Sequence, residues 1–153
     1  MALGSLALLT SGIVTLSRCY NECVMGLFKQ TIEIGASPTG PFRSIEAVVD
    51  TGASYTQVPR SILEGLGIKA TEQAEFTLAD GRSVARGLAE AYVRLDGKIR
   101  ATLCIVGDDR AEALLGAYTL EGFGLTVDPV NKRLVPTKLF LLTYVLSMRR
   151  GRR

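Results

Sequence analysis

Apolar and polar positions alternate with a period of two along much of the chain, as is typical of strands with one buried face. Leu27–Ile34 alternates in this way, and the runs Ile45–Val49 and Lys98–Val106 are rich in β-branched residues. Glycine, proline, serine and aspartate cluster between such runs, where turns are expected. A short helix is predicted between Pro59 and Gly67, because proline is favoured at the start of a helix and glycine after its end. The pattern predicts many short strands.

Two Asp-Gly pairs, Asp80-Gly81 and Asp96-Gly97, stand between strand-like segments. Asp-Gly is favoured at the centre of a two-residue hairpin turn, because both positions tolerate positive φ. We therefore expect a tight hairpin at each pair. A second short helix is expected through Tyr118–Gly122. Together these elements predict a compact, mostly β domain with one or two short helices.

The two ends of the chain differ in pattern from the segment 25–137 between them. Residues 1–16 are apolar and uncharged, but no basic residue precedes them, no small-residue cleavage site follows, and a spanning helix needs roughly 20 residues. Residues 139–146 are apolar and fit a buried strand or a helix equally well. We expect one domain at 25–137, with extensions at 1–24 and 138–153, in a cytoplasmic protein. Membrane association through the termini is the less favoured alternative.

The composition excludes several classes of catalytic site, because the 153 residues include three cysteines and no histidine. Ser-His-Asp and Cys-His nucleophilic sites would lack their base, and a catalytic zinc site would lack its usual ligand. Three cysteines cannot form a four-cysteine zinc site. We therefore expect no metal and no cofactor. An enzyme of this composition would use carboxylates, lysine, tyrosine or an unaided nucleophile.

The net charge of +3 comes from the end of the chain, where four of the last five residues are arginine. Residues 25–137 carry 12 bases and 14 acids, a net charge of −2. A slightly acidic body is unlike the basic face of a nucleic-acid-binding domain, so no nucleic-acid partner is expected. Terminal arginines could bind acidic lipid or nucleic acid, but such tails are usually solvated.

Two other groups of residues could bind a metal. Asp108-Asp109 is an acidic pair in a predicted turn, and without a third oxygen ligand at suitable spacing we interpret it as a solvated turn. Cys19 and Cys23 could share a helix face and pair or bind metal, but incidental thiols are the favoured interpretation. Cys104 lies inside an apolar strand and is predicted to be a core residue.

The strongest chemical signal is the segment Asp50-Thr51-Gly52-Ala53-Ser54, directly after the apolar run that ends at Val49. Its carboxylate would stand where the chain leaves a buried strand. Gly52 permits a tight turn and a close approach of backbone N–H groups, and the Thr51 hydroxyl could brace the loop. An Asp followed by Thr-Gly is also common in ordinary turns, so these residues alone leave both interpretations open.

The order of the motifs resembles that of the retropepsin-like aspartic protease family. After Asp-Thr-Gly-Ala-Ser comes Phe76–Arg82, which is shaped like a flap hairpin, and then Leu114-Leu115-Gly116, about 65 residues beyond Asp50. The run Ala117–Pro129 looks like that family's short helix and final strands. The resemblance covers about 25–137 and is closest to small single-domain bacterial and archaeal members.

The resemblance implies a closed, mostly antiparallel single-domain β-barrel of the retropepsin-like acid protease type, with aspartic endopeptidase activity and Asp50 as the catalytic residue. The active-site loop and substrate contacts would be Thr51, Gly52, Ala53 and Ser54. The flap would be Ala79, Asp80, Gly81 and Arg82. The second loop would contain Leu115 and Gly116. Viral members carry an acidic residue at the position of Ser54 and an arginine at that of Ala117, and this chain has neither.

Peptide hydrolysis without metal or histidine needs two carboxylates that share a proton. The chain is too short for two lobes and contains one Asp-Thr-Gly, so the second carboxylate is expected from Asp50 of another copy. The expected partners are therefore a second copy in a homodimer and a peptide or protein substrate. The alternative is a non-proteolytic dimerisation or peptide-binding module that retains the protease fold.

Overall fold

The computed structural model describes residues 27–78 and 80–138. Within these ranges, nine strands and two short helices follow one another along the chain. In order they are β1 (Lys29–Gly35), β2 (Phe42–Val49), β3 (Thr56–Pro59), α1 (Arg60–Gly65), β4 (Glu72–Thr77), β5 (Ser83–Leu95), β6 (Lys98–Gly107), β7 (Ala113–Leu115), α2 (Ala117–Phe123), β8 (Leu125–Asp128) and β9 (Arg133–Pro136). The prediction of a mostly β domain with one or two short helices is confirmed.

Six strands close into a barrel in the order β1, β2, β7, β3, β6, β5. The ring closes where β5 pairs with β1, in the register Ile34 with Val93. The β2–β7 and β3–β6 contacts are parallel, and the other four contacts in the ring are antiparallel. Closure removes the unpaired edges that an open sheet would expose. The expected closed and mostly antiparallel barrel is confirmed.

The core consists of alternate strand residues that point into the barrel, as the period of two predicts. Ile32 and Ile34 of β1 are fully buried, as is Val93 of β5 opposite them. The helices add Leu63 and Leu120 to the same cluster. In this way the apolar faces of the barrel strands and of both helices share one core.

Cys104 of β6 is fully buried in this core, as its apolar surroundings predicted. Burial raises the pKa of its thiol to about 12, because an apolar environment disfavours the charged thiolate. Cys104 is therefore an unreactive packing residue at neutral pH.

The strand β4 lies outside the ring, and among the described strands it pairs only with β5. The turn that joins them differs from the expected two-residue form. Leu78 N–H donates to the Arg82 carbonyl oxygen at 2.8 Å, and Gly81 N–H donates to the Leu78 carbonyl oxygen at 2.9 Å. These bonds enclose three residues, and of the pair Asp80-Gly81 only Gly81 has a positive φ, of 83°. A three-residue hairpin loop needs its left-handed residue at the third position, so one positive φ is sufficient here.

The second Asp-Gly turn has the expected form. Asp96 and Gly97 both adopt positive φ, of 49° and 76°, and Leu95 pairs with Lys98 directly across the turn. This is the two-residue hairpin predicted from the sequence.

The strands β8 and β9 form a separate two-stranded sheet after α2. Leu125, Val127 and Leu134 of this sheet pack against the barrel core. The predictions for 1–24, for 139–146 and for Cys19 and Cys23 concern residues outside the described ranges. Neither helix in the part of the chain that the structure describes is long and apolar enough to cross a bilayer.

Candidate active site

Asp50 is the first residue after β2, at the point where this strand leaves the core. Its backbone N–H donates to the Leu115 carbonyl oxygen at 3.1 Å, which extends the parallel pairing of β2 with β7 by one residue. Its side chain is half-buried, and its Oδ1 accepts a hydrogen bond from the Gly52 N–H at 2.9 Å. A Cβ atom at position 52 would lie 3.1 Å from Oδ1. Glycine therefore lets the backbone hold the carboxylate at close range.

The loop that follows Asp50 is tied to the start of α2. Ala117 N–H donates to the Ala53 carbonyl oxygen at 2.9 Å, and Tyr118 N–H donates to the Ser54 carbonyl oxygen at 3.0 Å. These bonds use N–H groups of the first helical turn, which have no partner inside a helix. The predicted second loop thus lies against the loop that carries Asp50.

Gly116 is the point of closest approach between the two loops. A Cβ atom on Gly116 would lie 2.4 Å from the Tyr55 carbonyl carbon and 2.8 Å from the Thr56 nitrogen. Gly116 N–H also donates to the Thr56 hydroxyl at 3.2 Å. Both contacts are made with backbone or buried atoms, so no larger residue fits without moving a loop.

The Thr56 hydroxyl that Gly116 binds belongs to a network of three buried threonine hydroxyls. Thr119 shares hydrogen bonds of 2.7 Å with both Thr56 and Thr102, and Thr102 donates to the Leu103 carbonyl oxygen at 3.4 Å. No sequence pattern predicts this network, because the three residues belong to β3, β6 and α2 and come together only in the folded barrel. Threonine in a strand is also an ordinary β-branched residue.

The predicted flap is the hairpin that joins β4 to β5. Asp80 and Arg82 are exposed and pair with each other, with Arg82 Nε 2.7 Å from Asp80 Oδ2. Ala79 lies outside the described residues. Near the base of the hairpin, Phe76 meets Tyr55 edge to face, with ring centroids 6.2 Å apart. The base of the hairpin is therefore packed on the loop that follows Asp50.

A pocket of about 360 Å³ lies between the Asp50 loop, the hairpin and the barrel. Its lining consists of Asp50, Gly52, Ala53, Ser54, Tyr55, Gln57, Phe76, Thr77, Leu78, Val84, Arg86, Ile105 and Leu114. Most residues of the predicted active-site loop are thus brought together. Thr51, Leu115, Gly116 and the described flap residues at 80–82 are not part of the lining.

Two of the polar lining residues outside the Asp50 loop, Gln57 and Arg86, were not predicted from the sequence. Gln57 stands between Thr56 and Val58 in a short strand-like segment, and Arg86 falls on the alternating strand that follows Gly81. A polar residue within a predicted strand is the only signal that could have identified either one. That signal is weak, because an exposed strand face gives the same pattern.

The acidic pair Asp108-Asp109 has partners within the protein. Arg86 Nη2 donates to Asp108 Oδ2 at 2.9 Å, and Ser61 N–H donates to Asp109 Oδ1 at 2.7 Å. The bond from Ser61 holds the pKa of Asp109 below its usual value. In 27–78 and 80–138, no group of three His, Cys, Asp or Glu residues could hold a metal ion.

The chain that forms these loops matches a known protein family. The sequence profile of a family described as aspartyl protease matches residues 38–119, more than half of the chain. The chain therefore belongs to the aspartyl protease family, as its motifs predicted. No curated protein matches the chain.

Solved structures of retropepsin type are similar to the chain. The EIAV protease in complex with the inhibitor HBY-793 has a TM-score of 0.50 at 16% identity, over 74% of this chain and 92% of that one. The simian foamy virus (mac) protease has a TM-score of 0.43 at 17% identity, over 60% and 92%. A retropepsin-like aspartic protease from Rickettsia conorii has a TM-score of 0.45 at 26% identity, over 65% and 84%. The likeness to the EIAV protease confirms the predicted retropepsin-like fold.

Proposed function

We propose that this chain is an aspartic endopeptidase whose active centre forms when two copies pair, with one Asp50 contributed by each. The observation that carries the proposal is the half-buried Asp50 carboxylate, held by the Gly52 N–H beside a pocket large enough for a side chain. Asp50 is the only acid among the described residues that line this pocket. A single carboxylate supplies only half of the machinery that this chemistry needs.

A twofold axis supplies the second carboxylate. In an isologous dimer a residue near the axis meets its own copy, so the two Asp50 side chains would lie together. Thr51 is exposed in the single chain, which leaves its hydroxyl free to bind the partner's loop across the axis. The proposed homodimer thus completes the site with residues that the chain already carries.

The chemistry of the pair follows from its shared proton. Two carboxylates about 3 Å apart cannot both ionise, as is known of aspartic proteases in general. The ionised carboxylate would take a proton from a water molecule while the water oxygen attacks the peptide carbonyl carbon. The protonated carboxyl would donate its proton to the carbonyl oxygen. The Gly52 N–H would keep the carboxylate oriented throughout.

The substrate would be an extended peptide, laid across the axis and paired with strand edges. The flap, Ala79–Arg82, would close over it and exclude water. Ala53 and Ser54 line the pocket and would contact the substrate, while Leu115 and Gly116 would position the Asp50 loop. We further propose that 25–137 is the protease domain and that 1–24 and 138–153 lie outside it.

A cleavage assay on an unfolded protein tests the assignment of Asp50. Asp50→Asn should reduce hydrolysis at least about a hundredfold, because general acid–base catalysis contributes about 10² to 10⁴. Asp96→Asn is the matched control, since Asp96 lies in a hairpin turn where asparagine also tolerates positive φ. Retained cleavage by the Asp50 variant would overturn the assignment. A folded wild-type dimer without hydrolytic activity would instead support the non-proteolytic module.

A further inference from the structure

The pocket beside Asp50 has apolar walls. Its floor is a row of three residues, Leu114, Gln57 and Ile105, which are neighbours in register across β7, β3 and β6. One wall comes from the β4–β5 hairpin, where Phe76 and Val84 are paired. Apart from Gln57 these side chains are apolar, so the middle of the pocket suits an aliphatic stem.

Polar groups gather at the end of the pocket that is farther from Asp50. Gln57 extends over Gly107, where an added Cβ atom would lie 2.8 Å from the Gln57 Cγ and 3.3 Å from its Nε2. Arg86 forms a salt bridge with Asp108, the residue after Gly107, with an Nη2–Oδ2 distance of 2.9 Å. Gly107 is two residues beyond Ile105, or roughly 7 Å along the strand. A substrate side chain must therefore be long to reach this end.

The groups at this end offer more donors than acceptors. The Arg86 guanidinium has five N–H groups, of which one bonds Asp108 and another makes a long 3.4 Å contact with the Ala85 carbonyl oxygen. The Gln57 carboxamide makes no hydrogen bond within the described ranges. Arg86 is also the only cation among the described lining residues. The complementary substrate group is an acceptor oxygen on a long stem.

We propose that Gln57 and Arg86 make this pocket select a substrate side chain of glutamine or glutamate length that ends in an acceptor oxygen. The inference rests on the proposed function, because it places the substrate peptide beside Asp50. The stem would pack on Ile105 and Leu114, and the terminal oxygen would accept hydrogen bonds from Gln57 and Arg86. A side chain of the same length without the oxygen would leave these donors without a partner, which is costly in a half-buried site.

Peptide binding to the Asp50→Asn protein tests this selection without any need for turnover. The probes are octapeptides that are identical except for one residue, which is Glu, Gln, Met or Lys and is moved through each position in turn. At one position, Glu and Gln should bind about tenfold more tightly than Met, since one unmet hydrogen bond costs about that much. The ratio of the dissociation constants of the Glu and Gln peptides shows whether a negative charge strengthens binding beyond the acceptor oxygen that both side chains carry.

Two variants in the same background assign the preference to Arg86. In Arg86→Met, the dissociation constants of the Glu and Met peptides should differ by no more than about threefold. In Arg86→Glu, the Lys peptide should bind most tightly, and misfolding cannot produce such a gain in binding. Arg94→Met is the matched control, because Arg94 lies on the same strand, its side chain is equally exposed, and it pairs with Glu33 instead. Equal binding of Met, Gln and Glu at every position, or an unchanged preference in both Arg86 variants, would overturn the inference. The proposed function fails separately, if the wild-type dimer selects peptides but does not cleave them.

Discussion

At the scale of single residues, two glycines give Asp50 its position. Gly52 allows the backbone N–H to reach Oδ1, and Gly116 allows the second loop to touch the Tyr55 carbonyl. The role of Gly52 could be predicted, because Asp50 and Gly52 are two positions apart and their contact is local. The environment of Gly116 could be placed only by resemblance, since Tyr55 and Thr56 are about 60 residues away and no local pattern links them.

Substitution of Gly116 tests the contact between the loops. Gly116→Ala would place a Cβ atom 2.4 Å from the Tyr55 carbonyl carbon, and such overpacking typically costs about 1–3 kcal/mol. We expect lower thermal stability and a marked loss of cleavage, because the Asp50 loop must shift.

Gly122→Ala is the control for that experiment, since an added Cβ atom meets nothing within 4 Å at this position of α2. Alanine is also the better helix former, so the control should be at least as stable as the wild type. Equal stability of the two variants in thermal unfolding would contradict the close approach at Gly116.

At the scale of elements, the β4–β5 hairpin shows what turn chemistry can and cannot predict. The existence of a hairpin at Asp80-Gly81 followed from the dipeptide, as it did at Asp96-Gly97. The loop length did not, because the same dipeptide fits the centre of a two-residue turn and the end of a three-residue one. The choice depends on the register of the flanking strands, in which Thr77 pairs with Ser83, and local sequence does not determine that register.

A pair of glycine substitutions separates the flap from an ordinary hairpin. Gly81→Val and Gly97→Val each place a β-branched residue at positive φ, of 83° and 76°, in open space. Each should cost about 1–2 kcal/mol in the free energy of unfolding, which is typical for a left-handed L-residue. Only Gly81→Val should also slow peptide hydrolysis, measured as kcat/KM at a temperature where both variants are folded. Unchanged turnover in Gly81→Val would show that the hairpin is not a flap.

At the scale of the whole molecule, the barrel depends on contacts between distant parts of the chain. The period of two predicted strands, but the closure of β1 on β5 joins residues about 60 positions apart, and periodicity carries no information on such pairings. Family resemblance supplied the closed barrel instead. Neither periodicity nor family resemblance predicted the pocket beside Asp50, because Gln57 and Arg86 come to line the same pocket only after β3 and β5 are placed on either side of β6.

The proposed pairing of two Asp50 carboxylates predicts how hydrolysis depends on pH. One proton must be held between them for one to act as base and the other as acid, so the rate should be highest at mildly acidic pH. It should fall as rising pH removes that proton. The measurement is kcat/KM from pH 3 to 9, with far-UV circular dichroism at each pH to confirm folding. A rate that rises steadily to pH 9 would indicate a different base.

In the proposed protease one active centre is built from two chains, and this requirement can be tested by mixing subunits. Wild-type protein and the Asp50→Asn variant are unfolded together in varied ratios, refolded at constant total concentration and assayed for cleavage. If each centre needs both Asp50 carboxylates, activity falls as the square of the wild-type fraction, so an equal mixture keeps about a quarter of the wild-type rate. An equal mixture that keeps half of the rate would show that each chain acts alone and that no shared active centre exists.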